Sequence, residues 1–264
     1  NASVIDWITA VVPCWHPEPI RDGCFMRVDS SGAVEWSSDR RLSLRGSHDS
    51  TVTIRTATWM PMEDGGHTAV EISGNLAKFF QGHNLFGSDN LPGLVFDFMR
   101  WLTLEHHGTV VPCAADINAW RTGAYTLHRV DVTDSFKLPS RGDVLAWLRA
   151  AEQTAHLSHR GRGQLVKGST LYFGKNSRRW SLKLYAKGQE IESNSSDQPA
   201  LASLPQVRAW ADNVLRAELV LRGMELKRHQ LETGTAWLPL DGVPFDAVAM
   251  LRDKLGAMTM TTTR

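Results

Sequence analysis

The stretch GSTLYFGKNSRRWSLKLYAKGQEIE, residues 168–192, decides the fold class. Two runs of alternating apolar and polar residues flank Gly174-Lys175-Asn176, and this composition is typical of a tight turn between antiparallel strands. Many other strand-like segments of the chain are also joined by short turns rich in Gly, Ser and Asp. The sequence therefore predicts an α+β fold with a mainly antiparallel central sheet and helices packed against it.

Helical spacing and capping residues indicate the helices that accompany this sheet. Gly82 is placed to end a short helix, and residues 91–108 carry apolar side chains at helical spacing. Ser140 is placed to cap the start of another helix. Further helices are expected to begin near Pro205 and to lie near residues 244–257.

The composition is that of a globular protein. Of the 264 residues, 42% are hydrophobic, which supports a substantial core, and no apolar run approaches the roughly 20 residues that a membrane span requires. We predict a single domain over residues 1–264, with a helical C-terminal portion from about residue 223. Three widely spaced cysteines without a C-x-x-C motif, and a start without a basic signal segment, predict the reducing cytoplasm.

The basic residues are unevenly distributed, although the net charge is only +1. Residues 153–189 contain no Asp or Glu. The same window contains the basic residues Arg160, Arg162, Lys167, Lys175, Arg178, Arg179, Lys183 and Lys187. Such a block is typical either of a local anion-binding surface or of a solvated loop, and the sequence alone leaves both interpretations open.

Four strand-like segments carry polar groups on one face, because successive side chains of a strand point to opposite sides. Those polar positions are Glu71 in AVEISG, Arg129, Asp131 and Thr133 in HRVDVT, Lys183, Tyr185 and Lys187 in LKLYAKG, and Arg216, Glu218 and Arg222 in LRAELVLR. If the four strands are adjacent, one sheet face collects three carboxylates and a tyrosine. The alternative is a half-exposed sheet whose outer face is simply charged.

Carboxylates grouped in this way are suitable ligands for a hard divalent cation. We therefore predict that Glu71, Asp131 and Glu218 bind Mg²⁺ or Mn²⁺. The neighbouring lysines stand where a phosphate would bind. No G-x-S-x-G, H-E-x-x-H or P-loop motif is present to suggest a different chemistry.

Tyr185 is the candidate nucleophile. A phenol has a pKa of about 10 and attacks poorly unless a metal or an ammonium group lowers the cost of its ionisation. Lys187 is the candidate helper that stabilises the phenolate or a phosphate. Attack on DNA would leave a phosphotyrosine bond whose stored energy allows the strand to be rejoined.

The remaining candidate residues have less specific roles. The proposed DNA contacts are Lys78, His83, Arg178, Arg179 and Lys183. Asp6 and Glu190 are secondary candidates for the site, and Glu190 lies an odd number of residues from Tyr185, so a regular strand would point it to the other face.

Several of these segments together resemble the replication initiators of filamentous phages, the gene II protein and the related phage X family. The matching segments occur in order at residues 4–13, 70–91, 128–133, 169–192 and 215–222. The most specific are AKFFQGHNLFG and YAKGQE. The resemblance therefore covers nearly the whole chain.

The resemblance implies a fold related to rolling-circle replication initiator nucleases and a metal-dependent, site-specific nickase. Such an enzyme cuts one strand of the phage origin, stays linked to the 5′ phosphate through a tyrosine and leaves a 3′-OH. The family tyrosine falls in LKLYAKGQE, which makes Tyr185 the nucleophile here, whereas Tyr172 lies in the preceding strand. The implied partners are single-stranded or supercoiled origin DNA and the helicase and polymerase of the bacterial host.

Two departures from related initiators affect this interpretation. The His-hydrophobe-His motif of many rolling-circle initiators is absent, so carboxylates are expected to bind the metal. Family members can continue beyond the nuclease region, so we expect this chain, which ends in MTMTTTR, to be a fragment or a short form.

Two functions from other classes remain as alternatives. One is a non-catalytic DNA-binding repressor or replication-regulatory protein on the same fold, which would keep the basic block but need no carboxylate cluster. The other is an RNA-binding module, which is disfavoured because the polar faces carry carboxylates rather than paired aromatic side chains.

Overall fold

The computed structural model describes residues 4–57, 67–106, 108–193 and 204–260. Its strands are β1 (Val4–His16), β2 (Cys24–Val28), β3 (Val34–Asp39), β4 (Leu42–Arg45), β5 (Thr51–Thr56), β6 (His67–Gly74), β7 (Thr126–Lys137), β8 (Ala155–Leu157), β9 (Gly161–Arg162), β10 (Gln164–Val166), β11 (Thr170–Phe173), β12 (Trp180–Ala186), β13 (Val214–Arg222) and β14 (Thr259–Met260).

Nine of these strands form one large sheet in the order β10-β11-β12-β13-β7-β1-β6-β5-β4 within the described residues. Every neighbouring pair in the sheet is antiparallel. Strands β2 and β3 form a separate hairpin, and β14, β8 and β9 form a small three-stranded sheet. The α+β class with a mainly antiparallel central sheet is therefore confirmed.

The helices are α1 (Leu76–Gln81), α2 (Leu91–Glu105), α3 (Ala114–Thr122), α4 (Arg141–Thr154), α5 (Lys187–Ser193), α6 (Pro205–Ala211), α7 (Gly223–Arg228) and α8 (Ala249–Gly256), with 3₁₀ turns at Ser47–Asp49 and Gly234–Trp237. Gly82 ends α1 in the left-handed conformation at φ 81°, and Ser140 accepts a hydrogen bond from the Asp143 amide at the start of α4. Both caps agree with the sequence prediction. No described helix is both long and apolar enough to span a bilayer.

One face of the large sheet is apolar and forms the main core. Its buried side chains include Val12, Ile72, Val130, Val132, Leu182, Leu184, Ala217 and Leu219. Helices α2 and α4 contribute Val95, Phe98, Leu102, Val144 and Leu148 to the same cluster. Burial of this apolar area, at about 25 cal/mol per Å², is the main force that holds the helices on that face. The opposite face of the sheet is left for polar groups.

The segment after β12 differs from the prediction of a continuing strand. Strand β12 ends at Ala186, which pairs with Leu215 of β13, and its pairing with β11 ends one residue earlier, at Tyr185 opposite Thr170. The chain turns into α5 instead. A Cβ atom added to Gly188 would lie 2.7 Å from the Cα of Asp212, so α5 packs closely against the residues after α6.

Helix α3 was not predicted. Its sequence AADINAWRT is largely polar and buries only Trp120, so it carries little of the periodic apolar pattern that identifies a helix.

The Ser140 cap generates a test of the fold. Ser140→Ala should lower the free energy of unfolding by about 1 kcal/mol, because it removes the acceptor for a backbone amide of α4. Urea denaturation followed by circular dichroism measures this change. Ser158→Ala, at an exposed turn position, is the matched control and should leave the unfolding midpoint unchanged. Equal stability of both variants would contradict the role of the cap.

Candidate functional site

The strand register collects polar side chains at the centre of the sheet. Tyr185 and Lys183 of β12 lie opposite Arg216 and Glu218 of β13, and directly paired residues point to the same face. Strand β7 adds Asp131, which lies opposite Val220 and is therefore a diagonal neighbour of Glu218. The shared polar face of β12, β13 and β7 agrees with the arrangement that the alternation predicts.

A β-bulge in β1 brings Asp6 to this region. Ile5 pairs with Val132 and Trp7 pairs with Asp131, so Asp6 is the extra residue between them. The Asp6 carboxylate accepts a hydrogen bond of 2.8 Å from the Asn75 side chain. Asp6 also acts electrostatically on Asp131, so the bulge adds a third carboxylate near the two already described.

Tyr185 is on this polar face but is only 2% exposed. The Lys183 ammonium lies 4.1 Å from the centre of its ring, and the Lys187 ammonium lies 5.8 Å from it. Burial raises the pKa of the Tyr185 phenol well above its usual value, whereas the positive charge of Arg216 favours ionisation. In this arrangement the phenol is protonated, and Arg216 offsets part of the cost of removing its proton. Three carboxylates add to that cost, those of Glu218, Asp6 and Glu190.

Lys187 is completely buried at the start of α5. Its ammonium donates to the Asn84 side chain at 2.8 Å and to Glu190 at 2.7 Å. Burial and the charge of Arg216 lower the pKa of Lys187, and Glu190 opposes that change. The expectation that Glu190 points away is wrong, because residues 187 and 190 are three apart on a helix and share one side of it.

Arg216 is also completely buried. It donates to the backbone carbonyl of Asn84 and to the Thr133 hydroxyl at 3.0 Å, while its Nε has no hydrogen-bond partner among the described residues. Sequence alternation puts Arg216 on the polar face without assigning it a role. Its position opposite Tyr185 becomes visible only once β12 and β13 are known to be neighbours.

Two of the predicted metal ligands are close to each other. Asp131 accepts hydrogen bonds from Arg129 at 2.8 and 2.6 Å, and Glu218 accepts one from Lys183 at 3.1 Å. Burial raises the pKa of Asp131 to about 7, with a further increase from Glu218, although Arg129 opposes both effects. The two carboxylates therefore stand in a place where an additional cation would be stabilised.

Glu71 is on the same face but is not brought together with the other carboxylates. It lies opposite Val11 of β1, whereas Asp131 lies opposite Trp7. Two strand spacings and four residues along β1 separate the carboxylates by roughly 16 Å. Glu71 instead forms ion pairs with Arg41 and, at 3.0 Å, with Arg55.

The carboxylate oxygens of the cluster are the ligand type that a divalent cation prefers, but their arrangement in this structure does not form a complete coordination site. Within the described ranges, no group of three or more His, Cys, Asp or Glu side chains is arranged to hold a metal ion. Mg²⁺ commonly takes only one or two protein carboxylates and completes its shell with water and phosphate oxygens. Asp131 and Glu218, with Asp6 nearby, have the ligand type that such an ion prefers.

The predicted DNA contacts lie in several places. Lys78 is half-buried on α1, and His83 follows that helix, where burial and then the charge of Lys187 lower its pKa. Arg178 is exposed in the β11–β12 turn, at the end of β12 remote from the tyrosine. Arg179 is ion-paired at 2.9 Å with the buried Glu225. Some side chains of the basic block are therefore exposed, whereas others form ion pairs within the protein.

Comparisons with known proteins agree on one family. The family described as the N-terminal part of the phage replication-associated protein, the gene II protein, matches residues 4–239. The chain is 37% identical over 243 residues to the replication-associated protein of Enterobacteria phage I2-2, and the match covers 89% of this chain and 67% of that protein. The corresponding protein of Enterobacteria phage M13 is 25% identical over 242 residues, with 85% of this chain and 56% of the relative covered.

Among solved structures, the chain is similar to a rolling circle replication initiator protein from Geobacillus stearothermophilus. The sequence identity is 14% and the TM-score is 0.41, and the match covers 99% of this chain and 87% of the other.

The burial of Tyr185 leads to a spectroscopic prediction. Tyr185→Phe should leave the phenolate absorbance gained near pH 10 unchanged, because the Tyr185 pKa lies well above 10 in the folded state. The variant should lack only absorbance that appears at higher pH or on unfolding. Ultraviolet titration of both proteins, with circular dichroism to monitor folding, measures this difference. A loss of absorbance near pH 10 in the folded variant would contradict the buried environment.

Proposed function

Because the chain belongs to the family of the phage replication-associated protein, as the sequence resemblance predicted, we propose that it is a replication initiator that nicks and rejoins one DNA strand. The nucleophile in this proposal is Tyr185. The site-specific target is the origin of a filamentous phage genome. The covalent intermediate is a phosphodiester between the tyrosine and the 5′ end of the cut strand.

The observation that carries the proposal is the charge environment of one tyrosine. The Tyr185 ring has ammonium groups at 4.1 and 5.8 Å and lies opposite the Arg216 guanidinium. Positive groups beside a phenol favour its ionised form and also attract the phosphate that the phenolate attacks. Tyr125, by comparison, is buried in the apolar core cluster, where burial alone raises its pKa.

The proposed reaction is an in-line displacement at phosphorus. The Tyr185 oxygen forms a bond to phosphorus as the bond between phosphorus and the 3′ oxygen breaks, and the proton lost by the phenol is finally carried by the released 3′-OH. Lys187 stabilises the phenolate and the negative charge that develops on the phosphate. Rejoining is the reverse displacement by a 3′-OH.

We propose that Asp131 and Glu218, with Asp6 beside them, hold a divalent cation such as Mg²⁺ or Mn²⁺. When bound, the ion would polarise the phosphodiester and neutralise part of its charge. Arg129 and Lys183 pair with these carboxylates in the DNA-free protein and then become available to phosphate oxygens. Glu71 is left out of this ligand set because its carboxylate is distant and already has two arginine partners.

Access to Tyr185 requires a local movement. Asn84 lies over the site and contacts Lys187 with its side-chain oxygen and Arg216 with its backbone carbonyl. Both contacts are single hydrogen bonds to positive groups, each of which a phosphate oxygen would also accept. We propose that DNA replaces Asn84 at these donors and so reaches the phenol.

The proposed partners and location follow from family membership. They are single-stranded or supercoiled origin DNA, the replication helicase and polymerase of the bacterial host, and the host cytoplasm. Lys78, His83 and Arg178 are proposed as outer DNA contacts, and Arg179 as a residue that also holds the β11–β12 turn through Glu225.

The nucleophile assignment predicts the behaviour of three phenylalanine variants. Tyr185→Phe should bind origin DNA but form no covalent adduct, because the ring is kept and the attacking oxygen is removed. Tyr172→Phe and Tyr125→Phe are matched controls that should still form the adduct. The measurement is a denaturing gel after cleavage of origin DNA labelled on the 5′-phosphate side of the cut.

Label that migrates with the Tyr185→Phe protein would refute this assignment. Nicking by the unaltered protein without any adduct would favour a metallonuclease that uses water. Binding without nicking by the unaltered protein would favour the repressor.

The metal assignment predicts a contrast between carboxylates on the same face. Asp131→Asn and Glu218→Gln should each reduce Mg²⁺-dependent nicking by roughly 100-fold or more, because each replaces a negatively charged carboxylate ligand with a neutral amide. Glu71→Gln should keep nicking activity but lose about 1–3 kcal/mol of stability, because two arginines lose their partner. Nicking rates and urea denaturation of all three variants measure the contrast. Full activity of Asp131→Asn, or inactive but stable Glu71→Gln, would contradict it.

A further inference from the structure

Two arginines face each other on the polar side of the sheet, away from the tyrosine. Arg222 of β13 is the register partner of Arg129 of β7, so their side chains point to the same face. Like charges directly opposite each other on neighbouring strands destabilise a sheet. Burial and then the charge of Arg129 lower the pKa of Arg222. This pair therefore costs stability in the protein without a ligand.

The two arginines differ in their partners. Arg129 is paired with Asp131 through two hydrogen bonds. Arg222 donates to the Ser181 hydroxyl at 3.4 Å, and none of the ion pairs found among the described residues includes it. Both guanidinium groups belong to half-buried residues, so they are accessible from the polar face. Arg222 is therefore left without an ion-paired carboxylate among the described residues, although Asp131, two residues from Arg129 on β7, acts on it electrostatically.

The arginine pair lies on the same face of the sheet as the residues of the proposed reaction. Arg216, the partner of Tyr185, is six residues before Arg222 on β13, which places the arginine pair roughly 20 Å along the same face. Asp131 and Glu218 lie between the two ends. A DNA strand that passes from the tyrosine across the carboxylates would therefore reach the pair.

We propose that Arg129 and Arg222 form a binding site for a backbone phosphate of single-stranded DNA, remote from the phosphate that is cut. Guanidinium groups bind phosphate oxygens through paired hydrogen bonds, and an anion between two arginines replaces their repulsion by attraction. This inference rests on the proposed function, because it extends the path of the same DNA strand.

An aromatic side chain beside the pair favours single-stranded DNA as the occupant. Arg129 lies over the ring of Trp7 at 5.2 Å, and Trp7 is half-buried on the same face. Basic grooves with neighbouring aromatic rings are typical of sites where unpaired bases stack while the backbone is neutralised.

Arg222→Gln tests the site while keeping the ion pair between Arg129 and Asp131. The substitution is made in the Tyr185→Phe protein, so that binding is measured without cleavage. Fluorescence anisotropy with a dye-labelled oligothymidylate should show about tenfold weaker binding. The slope of log affinity against log salt should fall in magnitude by about 0.7, the value for one phosphate contact on a single strand.

Arg149→Gln is the matched control. Arg149 is exposed on α4, which packs on the apolar face, so its replacement removes the same charge from the other side of the sheet. We expect its affinity and salt slope to equal those of the parent protein. Equal losses in both variants would indicate a general charge effect and overturn the proposal.

Stability provides a second readout. Without DNA, the melting temperature of Arg222→Gln should be equal to or higher than that of the parent, because the repulsion between like charges is relieved. Unchanged DNA affinity together with a lower melting temperature would overturn the proposal and assign Arg222 a purely structural role. If Tyr185 proves not to form an adduct, the proposed function fails. The comparison of DNA affinities still tests whether Arg222 binds a backbone phosphate.

Discussion

The candidate site depends on the compensation of one buried charge, the guanidinium of Arg216. Burial of a charge is costly unless hydrogen bonds and opposite charges compensate for it. Arg216 meets this requirement with the Asn84 carbonyl and the Thr133 hydroxyl, and the acidic groups Asp6, Glu218 and Glu190 act on it electrostatically. The groups that compensate for this one charge therefore also determine where β7, β1, α5 and the residues after α1 lie around Tyr185.

On the rest of the polar face, basic side chains form ion pairs with carboxylates of the same or the neighbouring strand. Next to Arg216 and Tyr185, Lys183 pairs with Glu218, and further along the face Arg129 pairs with Asp131. These pairs satisfy the carboxylates in the DNA-free protein, while Arg222 at the far end has no comparable partner among the described residues. A polyanion would therefore exchange contacts with groups that are already held in position rather than order a disordered surface.

Much of this arrangement could be predicted from local patterns. Alternation in HRVDVT, LKLY and LRAELVLR correctly separates the apolar face of the sheet from its polar face, because one face of each strand must join the apolar core. Capping residues identify the ends of α1 and α4 for a similarly local reason, since they satisfy backbone groups within one helical turn. Helix α3 was missed because its burial depends on Trp120 alone rather than on a repeated apolar stripe.

The sequence by itself determined the antiparallel α+β class, the polar face and the family, because these depend on side-chain periodicity and on continuous motifs. Only the tertiary structure decided which polar residues meet. A bulge brings Asp6 beside Asp131, and the chain turns into α5 at Lys187, which places Glu190 where it acts electrostatically on Tyr185. Strand order places β1 between β6 and β7 and separates Glu71 from the other carboxylates. Register and strand order depend on contacts between distant segments, which local alternation does not contain.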